Sequence, residues 1–375
     1  MTAEETEQLD DPYRSVEWWH DLEYPFIAST ELVSRGQTFT SPLKTTDGTF
    51  TMTVMLPSPP ADEADHVASH LAPPPDWRAT PVETSEDWGT DYKHPAWGSA
   101  HAIVKRLAFS AEIPPEDAVP PAAREEWGVD LFSIEIRNSM EQWWDNVRTW
   151  IEISTGQRIA RVGHEPPRLR GATWHESSIT PIWLVSAKGN REEWRGGATE
   201  LTVRPPVYGL TPELFAACLS LSEVEPDLAW TLLRDARALQ DVGQYRRAVI
   251  DAATAAELAV IRLVDARLDA VEEKIRDALA EKFRMLGGKA SLLKKLGNGL
   301  PKSFTDDLVE KRNDAVHDGV DPSWAECDAA IQAALAQVRR AFPLPTPPGA
   351  AEPLVCRWDP PEEIANSGLP IDRVL

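Results

Sequence analysis

The 375-residue chain holds only three cysteines, Cys218, Cys327 and Cys356, and no C-x-x-C pair. An odd number at such wide spacing supports neither a zinc ribbon nor a disulfide framework. Cys218 and Cys327 fall within helical patterns and are expected as small core residues. Long apolar runs are also missing; none approaches the ~20 residues that a membrane-spanning helix needs. Met1 to Asp11 is acidic and polar, without a basic region followed by an apolar stretch. A secretory leader is therefore not expected, and the cytoplasm is the expected location. The sequence has no GxxxxGK[ST], no GxGxxG after a strand and no GxSxG. That removes the usual signals of nucleotide hydrolysis, dinucleotide binding and serine hydrolysis. His66 and His70 are four apart beside Asp62, Glu63 and Asp65, but no third ligand stands at a regular spacing. No metal site and no other cofactor is expected.

Positive charge is in deficit, with 38 Lys and Arg against 60 Asp and Glu, a net charge of −22. The deficit is uneven. Residues 1–210 carry 18 basic against 33 acidic side chains, residues 211–342 carry 18 against 22, and the remaining tail 2 against 5. Within the second region, the stretch 282–312 reverses sign, with eight basic residues against three acidic ones. A local basic strip is what phosphate recognition needs, although a solvated pair of short helices produces the same pattern.

The chain is long enough for two domains with their own cores. Residues 1–210 read as a strand-rich α+β domain. Gln37 to Lys44 and Thr49 to Leu56 flank the turn signal Thr45-Thr46-Asp47-Gly48. Phe50, Met52, Val54 and Leu56 alternate with threonines, as in a half-buried strand. Ile103 to Ile113 alternates as well, with Ile103, Leu107, Phe109 and Ile113 on one face. Leu131 to Ile136 and Ile179 to Ser186 are further strand candidates. Met140 to Ser154 switches to helical period, with Trp143, Val147, Trp150 and Ile151 along one stripe. Of 15 tryptophans, 12 precede residue 200. They read first as core, and second as the makings of a ligand pocket. Pro57 to Pro81 is proline-rich and cannot hold regular structure for long; an ordered surface excursion or a flexible arm is expected there.

Arg204 to Leu210 reads as a linker, and 211–342 as an all-α bundle. Thr211 before Pro212 is an N-cap with a first-turn proline, opening a helix to about Ser222. Asp227–Leu239, Gln244–Leu268 and Ala270–Phe283 follow. After Gly287-Gly288 comes a short lysine-rich helix to Leu296. Ser303 is expected to cap a helix that stops at Gly319, and Asp321-Pro322 to open a last helix to Phe342. Residues 343–375 form a proline-rich tail, extended or docked.

The helix ending at Gly319 carries Arg312-Asn313-Asp314-Ala315-Val316-His317. An imidazole moves protons near neutral pH, and a guanidinium holds a phosphate and the charge that develops on it. The hexapeptide resembles the R-x4-6-H signature of the HEPN superfamily, which favours a polar residue after the arginine. Upstream, the alanine-rich stretch Tyr245 to Ala259 looks like the long first core helix of bacterial HEPN domains. The resemblance covers about residues 211–342, and 1–210 match no family. It implies a metal-independent endoribonuclease, often a toxin or antiphage effector, acting as a homodimer through the motif helices. Arg312, Asn313 and His317 would be catalytic. Lys294, Lys295 and Lys311 would bind RNA. Glu257, mid-helix among alanines, would pair with Arg312 or orient His317, or else is a surface glutamate.

On a straight α-helix, Arg312 and His317 lie about 140° apart, so one protomer does not aim both at one phosphate. Two motif helices across a two-fold axis would. The expected reaction is attack of the ribose 2′-OH on the adjacent phosphorus, which excludes DNA. Two other readings stay open. In one, a non-catalytic HEPN module serves as an adaptor or RNA-binding dimerisation device. In the other, the Trp-rich domain binds a ligand and the bundle only dimerises it. A helix end in which Arg312 pairs with a carboxylate and His317 caps carbonyls would look the same in sequence.

Overall fold

Residues 15–34, 37–45, 49–60, 68–74, 88–93, 100–112, 131–160, 183–185, 191–193 and 208–358 are described by the structure, a computed structural model. The architecture is α+β, as the patterning predicts. The sheet is antiparallel throughout, and β6 (Ala100–Glu112) is its spine. One edge of β6 takes β1 (Ser15–Ser29) along its whole length, from Ser15 opposite Glu112 to Ser29 opposite His101, with a bulge between Asp21 and Phe26. The other edge is shared. β3 (Thr49–Met55) pairs with 108–111 and carries β2 (Thr38–Lys44) outside it. β5 (Gly89–Lys93) pairs with 100–104 and carries β4 (Ala68–His70). Gly89 sits so close to β6 that a Cβ would lie 2.1 Å from the Ile103 carbonyl oxygen, so only glycine fits.

The β2–β3 hairpin and the alternation of β3 follow the sequence pattern, Met52 and Val54 being buried. β6 departs from it. Leu107 and Phe109 are buried as expected, but Ile103 is only half-buried, while Ala102 and Val104 on the opposite face are fully buried. Along β6 the buried face changes: Ala102, Val104 and Arg106 are buried on one side, and from 106 to 109 both sides are, so one alternating stripe does not describe the strand. Among its described residues, Pro57 to Pro81 holds regular structure only briefly. β4 lies inside it, and Ser58 pairs with Ala72.

α1 (Leu131–Thr155) is one 25-residue helix. The strand expected at Leu131 to Ile136 is its first turns. A six-residue apolar alternation is too short to separate period 2 from period 3.6. The tryptophan stripe holds: Trp143, Val147, Trp150 and Ile151 are buried. Of Ile179 to Ser186, Trp183–Val185 forms β7, paired with β8 (Arg191–Glu193), and the rest lies outside the described residues.

Among the described residues, seven helices follow residue 210: α2 (Pro212–Ser220), α3 (Leu228–Asp241), α4 (Tyr245–Leu268), α5 (Glu273–Lys282), α6 (Leu286–Lys295), α7 and α8 (Trp324–Ala341). The motif helix α7 is composite. A single α-helical turn, Glu310–Asn313, lies between the π-helical segments Phe304–Val309 and Asp314–Asp318. α4 is buried along Ala248, Ala252, Ala255, Ala256 and Ala259, where small side chains let α3 and α8 pack close.

Three helix starts differ from expectation. α6 begins at Leu286, so Gly287 and Gly288 form its first turn. Ser303 is already helical and makes no capping bond. α8 begins later than Asp321-Pro322, because Ser323 and Glu326 form a reciprocal capping box. Thr211 does cap α2, its hydroxyl accepting from the Leu214 N–H.

The sheet and the bundle share one hydrophobic core. Trp143 Nε1 donates to Ser41 Oγ at 2.9 Å, and Trp150 Nε1 donates to the Val224 carbonyl at 2.9 Å. Leu210, expected in a linker, is buried and bridges to β1 beside Ala28. Gln157 acts there as a short piece of strand. Its amide accepts from the Ile27 N–H at 2.6 Å and donates to the Ile27 and Tyr208 carbonyls. The tail is docked through Leu354, Cys356 and Trp358, all buried. All three cysteines are free and buried. Among the described residues, no helix is long and apolar enough to cross a membrane.

Candidate functional site

α7 crosses the bundle beside α4 and α8 and is anchored by Phe304, Leu308 and Ala315, which are buried. That leaves Arg312 half-buried and Asn313, Val316 and His317 exposed at its C-terminal end. Gly319 closes the helix with φ +68°, and its N–H and that of Val320 both donate to the Asp314 carbonyl. Glycine takes this left-handed position at least cost. His317 is the only histidine after His175, so the bundle has a single imidazole.

The composite winding changes the geometry expected from spacing. Asp314–Asp318 is held by i→i+5 bonds rather than i→i+4 bonds. A wider turn brings a residue five positions on back toward the first, which narrows the 140° gap of a straight α-helix. Arg312 Nη1 donates to Asn313 Oδ1 at 3.2 Å. Among the described residues, no hydrogen bond or ion pair joins Arg312 to His317, and the imidazole touches no carboxylate.

Glu257 is not at the motif. Its carboxylate pairs with Lys289 Nζ at 2.5 Å, one third of its side chain being exposed. It lies on the face of α4 that meets α6, so an ammonium from α6 reaches it first. The basic strip is partly occupied as well. Lys311 pairs with Glu326 at 2.5 Å, which raises the lysine pKa and holds the glutamate down at about 2. Lys282 and Lys295 lie over the Phe283 ring, 5.7 and 5.3 Å from its centroid. Lys294 is exposed and carries no ion pair among the described residues.

His66 lies outside the described residues with Asp62, Glu63 and Asp65, while His70 ends β4. Among the described residues, no group of three or more His, Cys, Asp or Glu is arranged to hold a metal ion. The tryptophans before residue 200 that are described mostly pack: Trp88, Trp143, Trp144 and Trp150 are buried, and Trp18 stacks on Phe109 at 5.4 Å. Trp19 is exposed, with Arg106 5.5 Å from its ring.

A second polar site was not foreseen. A cavity of about 220 Å³ opens where α1, the segment 156–160, α3, the start of α4 and Trp358 converge. Two of its charges, Glu152 and Arg237, are buried, each 3% exposed. The Glu152 carboxylate accepts from the Ile159 N–H at 2.7 Å and from Arg148 at 3.4 Å, and Arg234 stands 3.6 Å away. Burial pushes the Glu152 pKa up, while Arg234, Arg148 and the Ile159 amide pull it back. Arg234 is turned onto Asp235 at 2.8 Å. Asp251 on α4 is held above the usual carboxylate range, first by burial and then by Asp235. The one local signal in the sequence was the i, i+4 spacing of Arg148 and Glu152 inside the tryptophan stripe, a charge pair where apolar residues prevail.

No protein-family model, no curated protein and no solved structure matches the chain.

Proposed function

We propose that the protein is a metal-independent endoribonuclease of HEPN type, with Arg312, Asn313 and His317 as its working groups. The observation that carries the reading is the Arg-Asn…His set at the end of α7, with Arg312 half-buried and Asn313 and His317 exposed, on a π-wound turn closed by Gly319. π-turns inside α-helices are energetically unfavoured and recur at functional sites. An imidazole left exposed and free of carboxylates is available to a substrate.

The 2′-OH gives its proton to His317 as the O2′–P bond forms. The P–O5′ bond breaks, O5′ takes a proton, and the products are a 2′,3′-cyclic phosphate and a 5′-OH end. Arg312 binds the non-bridging oxygens and stabilises the charge that builds on them. Asn313 already holds the guanidinium and orients it. Two copies joined through α7 would place both sets in one cleft, and exposed Val316 and Val320 give that contact an apolar component. Lys294, Lys295 and Lys311 would follow the RNA backbone, with Lys311 released from Glu326 to do so. We read the protein as a cytoplasmic toxin or antiphage effector restrained by its sheet.

Total RNA incubated in EDTA with wild type and His317→Ala tests this. The expected result is cleavage by wild type alone, leaving cyclic-phosphate ends, with a loss of roughly 10²–10⁴-fold in the variant. Equal cleavage by both would sink the assignment. Absence of cleavage by either, with tight RNA binding lost in Arg312→Ala, would favour the adaptor reading.

A further inference from the structure

Most lysines expected to follow RNA lie away from the imidazole or are already held. Asn298, just past α6, meets Arg340 near the end of α8, while α8 starts at Trp324, five residues after Gly319. α8 rises about 27 Å over its 18 residues, so Lys294 and Lys295 lie toward the end of the bundle away from His317. Lys289 is held by Glu257 and Lys311 by Glu326. At the motif end, Asp314, Asp318 and Asp321 stand on the same short stretch as Arg312 and His317. A phosphate brought to His317 meets that negative charge, and Arg312 alone does not offset it.

A further cation stands there, from a different helix. Arg246 Nη1, on the first turn of α4, is 4.0 Å from where a Cβ on Gly319 would be, two residues past His317. The side chain is exposed, and among the described residues no hydrogen bond, ion pair or ring contact engages it. Its neighbour Arg247 differs, donating to Gln244 at 2.9 Å. The first turn of α4 is a poor place for a cation. It holds no acidic residue, and the helix macrodipole disfavours positive charge at an N-terminus. The C-terminal end of α7 favours a guanidinium as a cap. Yet the Asp314 carbonyl there accepts from the Gly319 and Val320 N–H groups, not from Arg246.

We infer that Arg246 is an RNA-binding residue of the motif end, taking the backbone phosphate next to the one that is cut. The inference rests on the reading of α7 as an RNA-facing site. A guanidinium is charged at every working pH, and its fork matches two phosphate oxygens at once. α7 supplies Arg312 and His317 for the scissile phosphate, and α4 supplies a second wall that holds its neighbour. The substrate is therefore a strand with at least one phosphate beyond the cleaved bond. A dinucleotide, which has only the scissile phosphate, gains nothing from Arg246.

The test is binding of a labelled 2′-O-methyl oligoribonucleotide of mixed sequence, whose blocked 2′-OH cannot attack. Fluorescence anisotropy reads it at several salt concentrations, beside the cleavage assay in EDTA. Arg246→Ala should weaken binding about tenfold, the scale of one charge-assisted hydrogen bond, and flatten the salt dependence by about one released counterion. Its denaturant midpoint should match wild type, because the residue is exposed. Unchanged affinity, with cleavage still lost in His317→Ala, overturns the role of Arg246 and leaves the ribonuclease standing. Weakened binding with no cleavage by any of the proteins keeps Arg246 in an RNA site and sinks only the nuclease chemistry. Absence of binding by wild type overturns the contact altogether. A lowered midpoint with an unchanged salt slope assigns Arg246 to holding α7 in place, and overturns its contact with RNA.

Discussion

Two regions of this molecule use arginine in opposite ways. At the end of α7, Arg312 stands at the surface with Asn313, and the surrounding core barely depends on it. In the cavity, Arg148 and Arg234 grip a glutamate that is 3% exposed, and that carboxylate also takes the Ile159 amide. The first arrangement spends little stability and leaves its groups free for a substrate. The second ties α1, α3 and the 156–160 segment together and cannot be dismantled locally. A charge is cheap where water can replace its partner and costly where it cannot.

The contrast is broken most directly by removing Glu152. Glu152→Ala leaves Arg234 and Arg148 without their buried counter-charge and the Ile159 N–H without an acceptor. The expected loss is about 3–5 kcal/mol, the range for breaking a buried pair from one side. His317→Ala, in the same denaturant titration, should stay within about 0.5 kcal/mol of wild type. Comparable shifts for the two variants would mean that the buried network is not what ties α1, α3 and the 156–160 segment together.

Gly319→Ala sharpens the comparison on the motif side. The new Cβ meets only Arg246 Nη1 at 4.0 Å, so any cost is backbone strain at φ +68° rather than a clash. About 1–2 kcal/mol is expected, and Gly319→Asn should cost less, because asparagine tolerates the left-handed region. A neutral alanine would show that α7 does not close in that conformation. The glycine was legible in sequence because it follows a helical run directly. So were the tryptophan stripe of α1 and the Thr211-Pro212 cap, since each is encoded within a few residues. Leu131 to Ile136 was misread because six residues were weighed alone. Taken with Met140, Trp143 and Val147, the apolar spacing from Phe132 and Ile136 runs at three and four and is plainly helical. The π-winding of α7 has no such local signature, so the 140° separation holds for a straight α-helix and not for this one. The cavity was beyond any window. Trp358 donates to the Glu152 carbonyl across 206 positions, and no periodicity records such a meeting.

The smallest effect lies between the two regions, at the start of α8. Glu326 accepts from the Ser323 N–H and hydroxyl while it pairs with Lys311. Its pKa falls from 4.5 to about 2, chiefly through the Lys311 hydrogen bond. A lowered carboxyl pKa contributes stability above the unfolded value and loses it on acidification. Acid titration of wild type should therefore lose a small increment between about pH 4.5 and 2 that Glu326→Gln lacks. The lysine side works with the opposite sign. Lys311 is raised by the same bond, so its contribution holds below 10.5 and fades as pH rises beyond it. Because both groups are largely solvated, the increment is modest and should shrink with salt. Its value is that it separates two roles of Lys311. If the Glu326 pair is only a helix cap, Glu326→Gln shifts the acid limb and leaves RNA affinity alone. If the pair also withholds Lys311 from RNA, the same variant binds RNA more tightly at neutral pH, and the gain disappears in the double variant with Lys311→Ala.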